Sequence, residues 1–468
     1  MRGEVLASLR RSPAPTDGQA DLSNTMADTI SDTSSDIIPA DRADLTQGAT
    51  SDALSLAPER SSARWFRGDA CRPSNPEWRR LLKRAGVAYL LSRLCVIAGA
   101  AVVAAQSVVA DRADGIERPA NAVGKITDVL TSWDGKWYFA LIRDSYPSRI
   151  PPNVTWDDYQ ARTAFFPVYP TMVRWFDKVL PGGDVFAGIA LNFILGAVAV
   201  YLVGRLAREL FDDQIAYRSM LLMSLFPGSF VLSFTYSEAM LLVLAAGCLL
   251  CLHRRNWVVA GVLASIGAAT RPNGIALIAA CGIAALIAIK RDREWRSLIS
   301  VVLAPMGFLG FHLFLFYRTS EDLAWFRTQG EAWDEGTSFG LTAIRNTIDA
   351  FTSPLASPTD ILTAVSFVAM LVLLYAAWKK RLPWPVVTYC AVVLILMLAP
   401  STVTARPRFL YTAFPLLIAA AAWIRDIEVK HEADRRSSAH ELWTVVLGLG
   451  AAGLVTLTGL YGVYGAIP

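Results

Sequence analysis

In this chain of 468 residues, 54% are hydrophobic and only 18% are charged, with a mean hydropathy of +0.38, a balance that soluble globular chains rarely reach. The net charge of +4 is small and the basic residues form short clusters between apolar runs, so they read as topology determinants rather than as a nucleic-acid surface. Six cysteines (Cys71, Cys95, Cys248, Cys251, Cys281 and Cys390) are scattered, mostly inside apolar runs, and define neither a disulfide framework nor a metal-ligand spacing. Cys248 and Cys251 imitate a redox pair in spacing, but they lie in a hydrophobic stretch without a second pair and read as core packing.

Residues 1 to 62 are rich in Ser, Thr, Ala, Asp and Pro and lack apolar periodicity, so a disordered cytoplasmic tail is expected there, followed by a single transmembrane domain over 63–468. No apolar stretch near Met1 resembles a cleavable signal, and the hydrophobic run at 86–107 is expected to serve as an uncleaved anchor. Arg79, Arg80, Lys83 and Arg84 precede that run and hold its start in the cytoplasm by the positive-inside rule. Further apolar runs lie at 185–204, 216–235, 237–253, 257–271, 274–290, 298–317, 360–378, 384–401, 408–424 and 442–464, which makes an all-α polytopic membrane protein of about eleven transmembrane helices.

With one crossing per run, every loop expected inside is basic: Arg205, Arg208 and Arg218; Arg254 and Arg255; Lys290 to Arg296; Lys379 to Arg381; and Arg425 to Arg436. That parity requires the apolar stretch at 164–180, which carries Arg174, Asp177 and two prolines, to lie at the interface as an amphipathic helix. Two large extracytoplasmic loops result, at 108–184 and 318–359. The halves show no internal repeat, which disfavours an inverted-repeat transporter.

The first outer loop contains Trp133-Asp134-Gly135-Lys136-Trp137-Tyr138, in which the two tryptophans would share one face of a surface helix and leave Asp134 at the lipid boundary. On spacing alone the plainer reading is an aromatic anchor beside a solvated acid. Other polar groups fall on the same expected side: Glu238 after Tyr236-Ser237, Arg271 in Thr270-Arg271-Pro272-Asn273-Gly274, and Arg406 and Arg408 in Arg406-Pro407-Arg408-Phe409. Ionisable residues at the ends of apolar helices are costly unless they face protein or a wet cavity, and three arginines suit a phosphate, which the guanidinium grips through a planar fork of donors. Asp157 with Asp158, and Glu331 with Asp334 and Glu335, could bind a divalent cation, although their spacing matches no defined metal loop and a solvated turn explains them. His253, His312, His431 and His440 are spread apart and make no zinc site or triad.

Taken in order, these motifs resemble the GPI mannosyltransferase II (PIG-V) family and its actinobacterial relatives, membrane glycosyltransferases of the GT-C architecture. The resemblance rests on Trp133-Asp134, Phe165-Phe166-Pro167-Val168-Tyr169-Pro170, Phe226-Pro227 with Tyr236-Ser237-Glu238-Ala239, Thr270 to Gly274, and Pro407-Arg408-Phe409 with Phe414-Pro415, and it spans roughly 86–425. It implies a GT-C-like fold and inverting transfer of mannose from a polyprenyl-phosphate donor to a lipid, glycan or protein acceptor at the outer face of the plasma membrane. The family's acid maps onto Asp134 as the catalytic base. Arg408, Arg406, Arg271 and Lys136 are then the candidates for the donor phosphate, and Trp133, Trp137, Tyr138, Tyr236, Glu238 and Asn273 those for further substrate contacts; no metal ligand is assigned. A high-GC composition, rich in Ala, Arg and Val, departs from the eukaryotic members, so a lipoglycan, a glycolipid or a protein hydroxyl all stay open as acceptor.

The competing class is a flippase for lipid-linked sugars, which predicts charges near the bilayer midplane and related halves, whereas here the charges gather at helix ends. A non-catalytic partner subunit would tolerate loss of Asp134. Reporter fusions after residues 255, 296 and 381 are expected to report cytoplasm, and fusions within 108–160 or 330–350 the outside. A swapped pattern would remove both the topology and the site.

Overall fold

Asn75 starts the first helix by accepting a hydrogen bond from the Trp78 N–H at 2.6 Å, with Pro76 at the first helical position. The computed structural model describes residues 75–115, 121–354, 356–433 and 439–465, so the tail expected over 1–62, and Cys71 with it, lies outside the described residues. Helix α1 (Pro76–Ala113) is followed by α2 (Ala122–Leu130), α3 (Asp134–Asp144) and α4 (Val168–Asp177). Then come α5 (Gly183–Leu210), α6 (Asp213–Leu225), α7 (Glu238–His253), α8 (Trp257–Ala268) and α9 (Ile275–Asp292). Helices α10 (Leu298–Leu303) and α11 (Met306–Thr319) lead to α12 (Ala324–Ala332) and α13 (Leu341–Thr352). The remaining helices are α14 (Pro358–Lys380), α15 (Trp384–Leu398), α16 (Pro407–Thr412), α17 (Pro415–Ala433) and α18 (Ala439–Gly462). Among the described residues there is no strand, only an isolated bridge between Thr337 and Pro400.

All eleven expected apolar runs fall on helices, but not as eleven continuous rods. Among the described residues, six segments are long and apolar enough to cross a membrane: α1, α5, Pro272–Asp292, Trp295–Thr319, α14 and Glu441–Gly462; α7, α8 and α15 are shorter apolar helices. The other two runs, at 216–235 and 408–424, are interrupted at a proline, which lacks an N–H and disfavours the helical region for the preceding residue. The run at 216–235 breaks at Phe226, extended at ψ 137°, and continues as a short 3-10 turn, Pro227–Leu232. The run at 298–317 passes Pro305 with Ala304 and Pro305 both still in the helical region, whereas the run at 408–424 divides before α17 at Pro415.

Such a break leaves carbonyls without intrahelical donors, which a buried segment must satisfy in another way. Arg93 on α1, 3% exposed, does this: it donates to the Ser229 carbonyl at 2.7 Å, the Ser224 carbonyl at 3.1 Å and the Ser229 and Ser233 hydroxyls. Close by, Gly228 lets the turn meet the loop that enters α16, since a Cβ there would lie 2.3 Å from the Pro407 carbonyl oxygen.

The loops expected inside meet one another at one end of the bundle. Arg254 pairs with Glu209 at 2.9 Å, Arg255 with Glu294 at 2.8 Å, Arg218 with Glu428 at 2.7 Å and Lys380 with Asp426 at 2.5 Å. Helix α4, within the stretch expected at the interface, has ten residues and a length of about 15 Å, too short to cross the hydrocarbon. The two long loops are largely helical and pack on each other: the Trp325 indole donates to the Ala164 carbonyl at 2.9 Å, Thr163 and Thr328 share a 2.7 Å hydrogen bond, and Leu141, Tyr146 and Phe166 share an apolar cluster with Ala324 and Ala332, which Phe311 and Leu315 of α11 complete.

Because the atom facing Gly228 is backbone and cannot rotate away, Gly228→Ala is expected to cost about 2 kcal/mol and to lower the thermal unfolding midpoint in detergent. Gly86→Ala, in α1 with nothing within 4 Å, serves as the control and is expected to be neutral or slightly stabilising.

Candidate active site

Four peptide segments, each a helix start or the residues before one, converge at the end of the bundle opposite those basic loops. The first is the start of α3. Trp133 precedes the helix in the left-handed region at φ 55°, and Asp134 is the first helical residue. Gly135 leaves room for the Thr235 hydroxyl oxygen, from which a Cβ would lie 2.6 Å, and Thr235 in turn donates its N–H to the Leu130 carbonyl at 3.0 Å. The second segment, Thr235 to Glu238 at the start of α7, is held from α5 by Asn192, whose amide donates to the Phe234 carbonyl and, at 2.8 Å, to the Tyr236 carbonyl.

The third and fourth segments use the same device twice. Arg271 precedes Pro272 and Arg406 precedes Pro407, and both are extended (φ −159°, ψ 158° and φ −127°, ψ 150°), as a residue before proline prefers. Arg408 comes two residues later, inside the first turn of α16, so its side chain leaves the backbone in a different direction from that of Arg406.

These segments carry a line of alternating charges. Arg408 Nη1 lies 2.6 Å from Asp134 Oδ2 and 3.7 Å from Glu238 Oε1; Glu238 Oε2 lies 2.6 Å from Arg271 Nη1. Arg271 also donates to the Ser237 hydroxyl at 3.2 Å, which shares a 2.6 Å hydrogen bond with the Tyr138 hydroxyl. Burial pushes the Tyr138 phenol above its ordinary range, so it remains a neutral hydrogen-bonding group. Glu238 is fully buried, Arg271 and Arg408 are nearly so, and Asp134 keeps a 20% exposed side chain. The Arg408 guanidinium also sits over the Phe409 ring at 4.7 Å and the Tyr236 ring at 5.5 Å.

A cavity of about 420 Å³ opens onto this line. Asp134, Tyr138, Arg271, Asn273 and Arg408 form one polar side, Gln329 and Glu335 also face it, and Phe165, Phe166, Trp325, Phe326, Trp333 and Phe409 are its aromatic walls. It thus combines two carboxylates, of which Glu335 already accepts from two backbone N–H groups, two guanidinium groups and ring faces, a set that can hold a phosphate and accept a proton beside it.

The structure therefore brings Asp134, Arg271, Arg408, Tyr138 and Asn273 to one cavity, with Glu238 behind them as a partner of both arginines rather than on the wall. Tyr236 is buried beneath Arg408. Arg406 is not on the cavity: it is fully buried and donates to the Thr363 hydroxyl of α14. Lys136 stands over the Tyr464 ring at 5.0 Å, also off the cavity. The expected shared face of Trp133 and Trp137 does not form, because Trp133 lies outside α3. Its indole donates to the Tyr461 carbonyl at 2.9 Å, whereas Trp137 packs against Phe165 and Trp333 at 6.0 and 6.1 Å between ring centres.

Of the acids considered for a cation, Asp157, Asp158, Glu331 and Glu335 are otherwise engaged. Asp158 accepts from the Thr155 N–H at 2.7 Å, Glu331 pairs with Arg327 at 3.0 Å, and Glu335 accepts from the Ser401 and Thr402 N–H groups at 3.0 and 3.2 Å. Among the described residues no group of three or more His, Cys, Asp or Glu side chains is gathered for a metal ion. Three residues that the motifs contained but did not single out matter here: Ser237, which joins Tyr138 to Arg271, and the wall residues Phe165 and Trp333. The Phe165-Phe166-Pro167 motif marks the first wall residue, whereas no local pattern marks Trp333 as its neighbour.

Residues 166–317, less than half of the chain, match the family described as dolichyl-phosphate-mannose-protein mannosyltransferase. No curated protein matches the chain. Among solved structures, the chain is similar to ArnT from Cupriavidus metallidurans bound to undecaprenyl phosphate, with 12% identity, a TM-score of 0.44, and 72% of this chain and 76% of that one covered. It is also similar to the Archaeoglobus fulgidus oligosaccharyltransferase tethered with an acceptor peptide, with 14% identity, a TM-score of 0.38 and 70% of this chain covered. The chain spans about half the length of that oligosaccharyltransferase, 50% of which is covered.

Removing one member of a buried ion pair costs about 3 kcal/mol or more, because the remaining charge stays desolvated. Glu238→Ala is therefore expected to lower the thermal unfolding midpoint strongly, with Glu238→Gln intermediate because it keeps the shape and two polar atoms. An unchanged midpoint in both variants would mean that the charge line contributes nothing to the fold.

Proposed function

We propose that this protein is an inverting membrane glycosyltransferase of the GT-C, PIG-V-like type that moves mannose from a polyprenyl-phosphate donor to a lipid, glycan or protein hydroxyl at the outer face of the plasma membrane. The observation that carries the reading is the meeting of Asp134 with Arg408 and Arg271 on one aromatic-walled cavity. The match of residues 166–317 to the mannosyltransferase family supports it independently, since that segment contains Glu238 and Arg271.

In this reading Arg408 and Arg271 hold the donor phosphate through charge-assisted hydrogen bonds and stabilise the charge that grows on it as the sugar leaves. The acceptor oxygen attacks the anomeric carbon from the opposite side, which inverts it, while the Asp134 carboxylate accepts the hydroxyl proton. Tyr138 and Asn273 supply neutral hydrogen bonds, and the rings at Phe165 and Trp333 offer apolar faces to a sugar ring or an isoprenoid chain. Arg406, through Thr363, fixes the loop that presents Arg408.

Purified protein is expected to transfer mannose from synthetic polyprenyl-phosphate mannose to a membrane lipid extract, and Asp134→Asn to lower that rate about 100-fold or more. Equal transfer by both proteins would remove Asp134 from the chemistry. Transfer from the glucosyl donor alone would replace mannose in this reading, and no transfer from either donor would count against it.

A further inference from the structure

The proposed base and the proposed phosphate ligand touch each other. Arg408 Nη1 is 2.6 Å from the Asp134 carboxylate, and both line the cavity. A carboxylate that accepts from a guanidinium has that oxygen already committed, and a guanidinium that donates to a carboxylate has one edge less for a phosphate. The other partner of Arg408 is no substitute, since Glu238 stands 3.7 Å away and already lies 2.6 Å from Arg271. With Asp134 and Glu238 against Arg271 and Arg408, the four side chains sum to zero charge, so an arriving phosphate must compete for a cation rather than fill an unmet one.

We infer that the donor phosphate takes Arg408 from Asp134, so that the donor itself releases the base and must bind before an acceptor can be deprotonated. This rests on the glycosyltransferase reading above. In the transfer step the acceptor oxygen bonds to the anomeric carbon, and the bond from that carbon to the phosphate oxygen breaks with its electron pair on the oxygen. The acceptor proton goes to the Asp134 carboxylate. A phosphodiester monoanion beside a carboxylate becomes a phosphate monoester dianion beside a neutral carboxylic acid, so the total charge is conserved while one negative charge moves from Asp134 to the phosphate. Arg408 contacts the carboxylate now and contacts the phosphate in the bound donor, so the guanidinium follows that charge. Return of the proton to water restores the carboxylate, which then competes with the spent carrier for Arg408 and favours its release.

The discriminating quantity is affinity for the carrier, because it moves opposite to activity. Binding of a synthetic polyprenyl monophosphate to the full-length protein in detergent is to be compared for wild type, Asp134→Asn, Asp134→Ala and Arg408→Gln. Removing the competing carboxylate is expected to tighten binding about tenfold or more in both Asp134 variants, while sugar transfer is lost. Arg408→Gln is expected to weaken binding by a similar factor. Unchanged or weaker binding in both Asp134 variants, with Arg408→Gln still weakening it, would overturn the inference and make Asp134 an organiser of Arg408, leaving the glycosyltransferase reading intact. Absence of carrier binding by all four proteins, together with absence of transfer by wild type, would overturn both.

Discussion

Four charges buried at one end of an apolar bundle constrain everything around them. A lone guanidinium or carboxylate in that setting costs several kcal/mol, and the cost is offset only where opposite charges meet with good geometry. Asp134, Arg408, Glu238 and Arg271 come from α3, α16, α7 and the turn before α9, so the fold must bring the starts of these segments within hydrogen-bonding distance of one another. The long-range contacts that do this leave the cavity as the space in front of the line, with Glu238 behind it.

Small local devices make that convergence achievable. Proline before a helix sets the preceding residue extended, which presents Arg271 toward Glu238 and sends Arg406 to α14, while Arg408, two residues further on, returns to the cavity. Glycine at 228 permits a backbone approach that a methyl group would block, and glycine at 135 leaves room for the Thr235 hydroxyl. Arg93 stabilises the broken helix at Pro227 from the neighbouring α1, so the break adds a turn beside the site with the Ser224 and Ser229 carbonyls paired. Each device is local in sequence, yet each serves a contact that is distant in sequence.

The aromatic half of the cavity has a different origin. Trp137, Phe165 and Trp333 form a ring triad in which the first two come from the first long loop and the third from the second, with centres 5.9 to 6.1 Å apart. The loops hold each other through Trp325, Thr163 and their shared apolar cluster, which sets the walls against each other and against the helices.

The sequence by itself determined the helical class, the positions of the apolar runs, the alternation of basic and polar ends, and the nomination of Asp134, Arg271, Arg408 and Glu238. Apolar periodicity, charge asymmetry and costly ionisable residues at helix ends are properties of short windows, and short windows can be read directly. Only the tertiary structure decided that the runs at 216–235 and 408–424 are broken, that Trp133 and Trp137 part company, that Arg406 and Lys136 leave the cavity, and that Asp134 is held by Arg408. Asp134 and Arg408 are separated by 274 positions along the chain. No local pattern records which of several arginines a carboxylate will meet across such a distance, because that choice is made by the packing of the helices between them.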